Sequence, residues 1–151
     1  MRKLLFSFLT VFAFQPITSM GQTKCDTLGA IVRSIINSGD EKYLTDGQSY
    51  KLFFDEDETS KVVITLYEGF NYKIATTAGF EDNYMIFELL DEQHNLLFSN
   101  VNHNNVPYWN FKVENTIETT IEVKLDPNRK INGCAQMIIA HKKDNYKVKK
   151  E

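Results

Sequence analysis

Residues 117–125 read Ile-Glu-Thr-Thr-Ile-Glu-Val-Lys-Leu, and this stretch decides the fold class. One set of alternate positions is mainly apolar, namely Ile117, Thr119, Ile121, Val123 and Leu125. The other set is polar or charged, namely Glu118, Thr120, Glu122 and Lys124. Successive side chains of a β-strand point to opposite faces of the sheet. The stretch is therefore predicted to be a strand with one face in a core and the other in water.

The same alternation runs along most of the chain. Further runs begin near Tyr50, Val62, Tyr72, Met85, Leu96 and Trp109. Turn-forming residues separate the runs, and no helical pattern lies between them. These short connections predict antiparallel pairing, because parallel strands need a crossover of a dozen or more residues.

About eight such strands predict an antiparallel two-sheet β-sandwich of jelly-roll or Greek-key kind, since the dry faces must meet. A closed barrel is the alternative, because periodicity alone does not separate the two architectures. The last run, from Cys134 to Ala140, is almost entirely apolar and is predicted to be a central strand.

One helix is predicted ahead of the strands, at about residues 27–38. Apolar residues recur there at intervals of three and four, which places them in one stripe. They are Leu28, Ile31, Val32, Ile35 and Ile36. Asp26 or Thr27 is expected to cap the first turn, and Gly39 to end the helix. The fold class is therefore mainly β with one N-terminal α-helix.

Residues 1–21 have the build of a secretory signal peptide. Arg2 and Lys3 precede an apolar stretch, and the small residues Ser19 and Gly21 stand ahead of a cleavage site. The apolar stretch is about half the ~20 residues that a membrane-spanning helix needs. We therefore predict cleavage after Gly21 and a secreted or periplasmic mature chain that does not insert into a membrane.

The mature chain is expected to comprise a β-sandwich domain with its helix, residues 22–141, and a basic flexible tail, residues 142–151. The 151-residue chain has a formal net charge of −3, and loss of the two basic leader residues makes it −5. An acidic chain is not expected to bind nucleic acid, whose partners carry a basic excess. With 42% hydrophobic and 25% charged residues, the composition is that of a globular domain.

The chain has two cysteines, Cys25 and Cys134, near opposite ends of the mature sequence. In an oxidising compartment such a pair is expected to form one disulfide. A metal site and a catalytic thiol are the alternatives. Neither has support nearby, because no histidine pattern completes a zinc site and no base can be placed beside a nucleophile.

The segments Tyr67–Ile74 and Phe87–Leu97 each read as a strand, a turn and a second strand. In this they resemble the pre-peptidase C-terminal-like jelly-roll domains, as in small secreted Bacteroidetes-type proteins of unknown function. Tyr108–Phe111 and Gly133–Ala135 stand where such proteins often carry similar pairs.

The resemblance spans roughly residues 48–141. It implies a secreted jelly roll that serves as an accessory or binding module, and it carries over no catalytic residue. The turn at Gln93 and His94 departs from the pattern, because such domains often have a glycine there.

The acidic run 55–58 contains two calcium candidates, Asp55 and Asp57, because Ca²⁺ takes carboxylate oxygens. Glu81 and Asp82, and likewise Asp91 and Glu92, would join them if their loops lie at the same end of the sandwich. The glycine and glutamate of an EF-hand loop are missing, so the favoured interpretation is an acidic hairpin tip that keeps strand edges soluble. No cofactor is predicted.

Catalytic motifs are missing from the sequence. His94, His103 and His141 have no metal-ligand spacing, and no nucleophile elbow, phosphate-binding glycine loop or His-Glu-x-x-His occurs. We therefore predict that the protein is not an enzyme. A small hydrolase is the catalytic alternative, and it would need a cleft with two convergent ionisable groups of shifted pKa.

The Asn-rich loop, residues 99–107, is the candidate binding surface. Amide side chains both donate and accept hydrogen bonds, which suits a hydroxyl-rich ligand, and an aromatic ring can contact a sugar face. The predicted ligand-binding residues are Asn102, His103, Asn104 and Tyr108. Alternatively, the asparagines only form turns, and Trp109 belongs to the core with Phe111 and Val113.

Together these features predict an exported, non-catalytic β-sandwich module with a binding or accessory role in the cell envelope or extracellular space. Its partner would be a protein or a glycan that the sequence does not identify. A carbohydrate-binding module that uses the Asn-rich loop and nearby aromatic residues is the alternative function.

Overall fold

The computed structural model describes residues 20–45, 47–79, 84–129 and 132–143. These residues form one helix, α1 (Met20–Ile36), and nine strands. The strands are β1 (Leu44–Thr45), β2 (Tyr50–Phe54), β3 (Thr59–Leu66), β4 (Phe70–Thr77), β5 (Met85–Leu90), β6 (Leu96–Ser99), β7 (Tyr108–Lys112), β8 (Ile117–Leu125) and β9 (Gly133–Lys143). A turn of 3₁₀ helix, Asn100–His103, joins β6 to β7. The eight predicted strands are β2 to β9.

The strands form two antiparallel sheets. One has the order β2-β9-β4-β7, with β1 also paired to β9 beyond the end of β2, and the other has the order β3-β8-β5-β6. This is the strand order of a jelly roll. The predicted sandwich is confirmed, and the barrel alternative is wrong because the described strands divide between two sheets.

The main core lies between the two sheets. On β8, Ile121 and Val123 are fully buried while Glu118 and Lys124 are exposed, so the alternation predicted for this strand is confirmed. The other buried apolar residues of this core include Leu66, Tyr72, Ile74, Phe87, Leu89, Phe98, Met137 and Ile139.

The central strands β4 and β9 are buried on both faces, because α1 covers the outer face of their sheet. Val32 and Ile36 of the helix pack there against Ala75 of β4 and against Ile138 and Ala140 of β9. A strand enclosed on both sides needs no polar alternation. The prediction of a central last strand is confirmed, and the helix explains its composition.

The helix begins at Met20, earlier than predicted. Asp26 and Thr27 therefore lie inside it, and the prediction that either residue caps its first turn is wrong. Asp26 instead pairs with Lys51 of β2, with 2.6 Å between Oδ1 and Nζ. The apolar stripe marks the buried face of a helix rather than the residue at which its backbone starts. Gly39, with a φ of +94°, lies just past the helix as predicted.

The predicted disulfide between Cys25 and Cys134 is confirmed, with 5.6 Å between the two Cα atoms. It joins α1 to the start of β9 across a sequence separation of 109 residues. Gln136 of β9 strengthens this junction, because its Nε2 donates a hydrogen bond to the Cys25 carbonyl at 2.6 Å. With both cysteines bonded, the metal-site and catalytic-thiol alternatives are wrong.

Strand β9 extends through Lys142 and Lys143, two residues into the predicted tail. They pair with Asn71 and Phe70 of β4. The prediction of a flexible tail therefore concerns residues 144–151, which lie outside the described residues, as do residues 1–19 of the predicted leader.

Asp91 organises the turn between β5 and β6. Its carboxylate accepts hydrogen bonds from the Asn95 side chain at 2.9 Å and from the backbone N–H groups of Asn95 and Gln93 at 2.8 and 2.9 Å. These donors, the Asn95 side chain first, lower the pKa of Asp91. A lowered folded-state pKa means that the ionised carboxylate stabilises the fold above its ordinary pKa of 3.8, and that this stabilisation is lost as the pH falls through the folded-state value.

The variant Asp91→Asn tests this role. Its urea midpoint is expected to lie below that of the wild type at neutral pH, and the gap is expected to close as the pH falls to about 2. Unfolding by urea at a series of pH values measures the gap. Glu92→Gln is the control, because this neighbouring carboxylate accepts none of the three hydrogen bonds. A gap that stays constant down to that pH would contradict the assignment.

Candidate functional site

The Asn-rich loop is held to the sandwich by a fully buried amide, that of Asn100. Asn100 Oδ1 accepts a hydrogen bond from the backbone N–H of Phe87 at 2.9 Å. Its Nδ2 donates to the carbonyls of Met85 at 2.9 Å and Val106 at 3.1 Å. The amide therefore bonds backbone groups of β5 as a neighbouring strand would, and it also joins the start of the loop to its end at Val106. Its role is structural.

A second amide, Asn105, ties the loop to the turn after β8. Its Nδ2 donates to Asp126 Oδ2 at 2.8 Å, in a buried position. Asp126 also accepts a hydrogen bond from the backbone N–H of Asn128 at 3.0 Å and pairs with Arg129 at 3.4 Å. The backbone of Asn105 has a φ of 53°, a left-handed conformation that asparagine adopts more readily than most residues. This asparagine, too, serves the loop's own structure.

The structure exposes three of the four predicted ligand-binding residues together, since Asn102, His103 and Asn104 are neighbours at the end of the 3₁₀ turn. The His103 ring stacks on Phe98, with 5.5 Å between the centroids. The fourth, Tyr108, lies on β7 on the outer face of its sheet, where its ring is 4.6 Å from Lys73 Nζ. Tyr108 therefore contacts different elements from the other three.

Lys73 is a buried cation with only 2% of its surface exposed. Its Nζ donates hydrogen bonds to the carbonyls of Ile36 and Ser38, both at 3.2 Å, at the end of α1. An ammonium group there satisfies free carbonyls and faces the negative end of the helix dipole. Burial lowers the pKa of Lys73. The contacts identify this lysine as a helix cap from a neighbouring strand.

A row of stacked aromatic rings lines the side of the sandwich where β6 and β7 form the edges of their sheets. The Trp109 ring is parallel to within 6° to Phe98 at 3.8 Å, and to within 19° to Phe111 at 4.5 Å. Two rings this close and this parallel cannot share one face of the indole. Phe98 and Phe111 therefore cover both faces of Trp109. Tyr72 continues the row, 5.9 Å from Phe111.

A groove of about 470 Å³ opens beside this row, and we call it the edge groove. Its lining residues are Leu66, Leu89, Leu97, Trp109, Phe111, Lys112, Val113, Glu114, Asn115, Thr116, Ile117 and Thr119. It is mainly apolar and open to solvent.

One exposed leucine, Leu97, lines the edge groove because β6 is irregular. A bulge between Leu89 and Leu90 shifts the register of β5 against β6. Leu96 and Leu97 are both exposed, and Leu97, with 48% of its surface accessible, lines the groove. The sequence contains one indication of this surface, because Leu96 and Leu97 are adjacent where an alternating strand would have one polar residue. The sequence analysis predicted a binding loop instead and did not use this indication.

The acidic hairpin tip lies elsewhere, beside the turn after β8. Residues 55–58 line a separate cavity of about 350 Å³ with Asp126, Asn128 and their neighbours. Among the described residues, no group of three or more His, Cys, Asp or Glu side chains is placed to hold a metal ion. The assignment of Asp55 and Asp57 as calcium ligands stays a prediction, and Glu81 and Asp82 lie outside the described residues.

Comparison with known proteins adds to the description of the fold. No protein-family model matches the chain, and no curated protein matches it. Among solved structures, the fold is similar to that of Aeromonas hydrophila PliG, a periplasmic lysozyme inhibitor of g-type lysozyme. The likeness covers 63% of this chain and 85% of that chain, with a TM-score of 0.50 and 10% identity. At this identity it concerns the fold alone.

The one helix that the structure describes, α1, does not combine the length and the apolar character needed to cross a membrane.

Proposed function

We propose that the protein is an exported, non-catalytic jelly-roll module that binds a protein partner through the edge groove. The observation that carries the proposal is the exposed apolar surface of this groove, formed by Leu97 beside Trp109 and Phe111. Exposed apolar patches on a soluble domain commonly mark surfaces that bind other molecules. The fold neighbour is itself named as an inhibitor of another protein, which is compatible with such a role.

A protein partner fits the groove better than a sugar, because an aromatic platform for a sugar needs a free ring face. Both faces of Trp109 are covered by the neighbouring rings. What the groove presents is ring edges and leucine side chains, which suit an apolar side chain of a partner.

Export is supported by the disulfide between Cys25 and Cys134, since such bonds persist in oxidising compartments. The leader-like residues 1–21 point the same way. We place the protein in the periplasm or outside the cell. The jelly-roll strand order is also compatible with membership of the pre-peptidase C-terminal-like domains, which we retain as a proposal.

The shifted titratable groups support a non-catalytic role. Burial lowers the pKa of Lys73 and raises that of Tyr43, while hydrogen bonds lower the pKa values of Glu41, through Lys142 first, and of Asp91. Glu41, Tyr43 and Lys73 lie near one another, but their contacts are structural: Tyr43 donates a hydrogen bond to Glu41, Glu41 pairs with Lys142, and the buried Lys73 caps α1. Asp91 organises a turn, and none of the four lines the edge groove. A hydrolase would need two such groups converging in a cleft.

Leu97→Asp tests the proposed surface, with Val63→Asp as the matched control on the outer face of β3, where Val63 is 62% exposed. A displayed library of random twelve-residue peptides, selected on the immobilised exported protein, supplies the probe. Sequences enriched on the wild type are expected to bind Val63→Asp equally, and Leu97→Asp about tenfold or more weakly, because a carboxylate in an apolar contact is desolvated without a partner. Near-ultraviolet dichroism checks that both variants keep their tertiary packing. Enrichment of no sequence, or equal binding to Leu97→Asp, would overturn the proposal.

Carbohydrate binding at the Asn-rich loop remains the second candidate, favoured by the joint exposure of Asn102, His103 and Asn104. A glycan array probed with the wild type, Asn102→Ala and Tyr108→Ala tests it. A glycan signal that either substitution removes would support this candidate, and a signal unchanged by both would reject it.

A further inference from the structure

Strand β7 forms an edge of its sheet, because β4 is its one neighbour among the described strands. In an antiparallel pair, every second residue exchanges backbone hydrogen bonds with the partner strand, and the residues between them point the other way. Just after β7, the N–H of Val113 donates to the Phe70 carbonyl at 3.0 Å. Just before it, the Pro107 carbonyl accepts from the N–H of Thr76 at 2.8 Å. The odd-numbered residues of β7 therefore bond to β4.

Tyr108 and Asn110 consequently turn their backbone N–H and C=O groups away from β4, and we call this row of groups the β7 edge. Both residues are exposed. Within the described part of the chain, neither forms a backbone hydrogen bond to a segment outside the sheet. Such a row of backbone donors and acceptors is a template for the addition of another strand.

The β7 edge borders the edge groove. The side chains of Trp109 and Phe111, which alternate with Tyr108 and Asn110 along the strand, both line it. A strand added here would lie about 4.8 Å from β7, and every second side chain would point to the same face as Trp109 and Phe111. Those side chains would enter the groove towards Leu97, on β6 of the opposite sheet.

The other edge strand at the groove, β6, is less suited to such pairing. It has four residues, and the bulge opposite Leu89 and Leu90 interrupts its register. Bulges at sheet edges hinder the addition of a further strand. By contrast, β7 pairs with β4 over five residues without a register shift. The apolar groove and a regular open edge therefore coincide at β7.

We propose that the partner segment binds as an added β-strand along the β7 edge, with apolar side chains at every second position seated in the edge groove. This inference rests on the proposed function and specifies the conformation and chemistry of its partner. The backbone of the segment bonds to Tyr108 and Asn110, which supplies affinity for any extended chain, and the groove selects the alternate side chains.

Methylated peptides test the backbone contacts on the unchanged protein. Synthetic copies of the peptides enriched on the immobilised wild type are prepared with one N-methyl group, placed at each residue in turn. The methyl group removes one amide donor and keeps the side chain. Methylation at every second residue is expected to weaken binding about tenfold, because those amides face β7, and methylation at the residues between them to change it less than about twofold.

The variants Asn110→Pro and Asn110→Ala test the same contacts from the side of the protein. Both lose the asparagine side chain, but only proline also loses the backbone N–H that faces away from β4. Asn110→Pro is expected to bind the unmethylated peptides about tenfold more weakly than Asn110→Ala, which is expected to bind them as the wild type does. Near-ultraviolet dichroism checks that Asn110→Pro keeps its tertiary packing, and the methylated peptides decide the matter if it does not.

Binding that is unaffected by N-methylation, or weakened equally at every position, would overturn this inference while leaving the proposed function standing. Equal binding to Asn110→Ala and to a folded Asn110→Pro would do the same. Peptides that bind Leu97→Asp as tightly as the wild type would overturn both.

Discussion

The double variant Cys25→Ser, Cys134→Ser is expected to lose about 3 to 5 kcal/mol of unfolding free energy and at least about 10 °C of melting temperature. The bond closes a loop across 109 residues of sequence and so removes conformational freedom from the unfolded chain. In the folded chain it joins α1 to β9, the strand that α1 covers. Urea unfolding of the oxidised wild type and of the variant measures the difference.

Reduced wild-type protein provides the control, because it keeps both sulfur atoms while losing the bond. Its urea midpoint is expected to match that of the double serine variant. A variant as stable as the oxidised wild type would contradict the structural role of the disulfide. Free-thiol titration of the exported protein adds a direct check, since two reactive thiols would show that the bond does not form.

Asn100→Ala is expected to cost about 3 to 4 kcal/mol, which is large for the loss of one side-chain amide. The amide serves three backbone groups, the N–H of Phe87 and the carbonyls of Met85 and Val106. Alanine would leave these groups without their partner in a fully buried position. Each such group carries a desolvation penalty that a water molecule does not relieve unless a cavity admits it.

Asn102→Ala, in the same 3₁₀ turn, is the matched control, because its side chain is exposed. Its unfolding free energy is expected to lie within about 0.5 kcal/mol of the wild type. Chemical denaturation of the two variants compares a buried and an exposed asparagine two residues apart. Equal stabilities would show that Asn100 does not hold the loop.

The asparagines of the Asn-rich loop show why the sequence alone did not reveal which of them could bind a ligand. Asn100, Asn102, Asn104 and Asn105 are chemically identical, yet the first and last are buried supports while the other two are exposed. The difference depends on which strand each side chain meets, and that partner is distant in sequence. The sequence therefore predicted an Asn-rich surface loop but did not distinguish its buried asparagines from its exposed ones.

The edge groove was missed for a related reason. Leu97 and Trp109 belong to edge strands of different sheets, and only the folding of β6 against β7 brings their side chains together. The bulge that exposes Leu97 also depends on pairing between β5 and β6. The burial of Lys73 was not predicted either. A lysine at an alternate position of β4 is expected to face water, and only the packing of α1 on that face buries it.

The local sequence determined the strands, the buried stripe of the helix, the antiparallel pairing and the disulfide partners. Each follows from short-range periodicity, from loop length or, for Cys25 and Cys134, from there being a single pair. Only the tertiary structure decided the jelly-roll order, the double burial of β4 and β9, and the edge groove. These depend on which distant elements become neighbours, and in-and-out alternation along one strand contains no information about the strand that lies beside it.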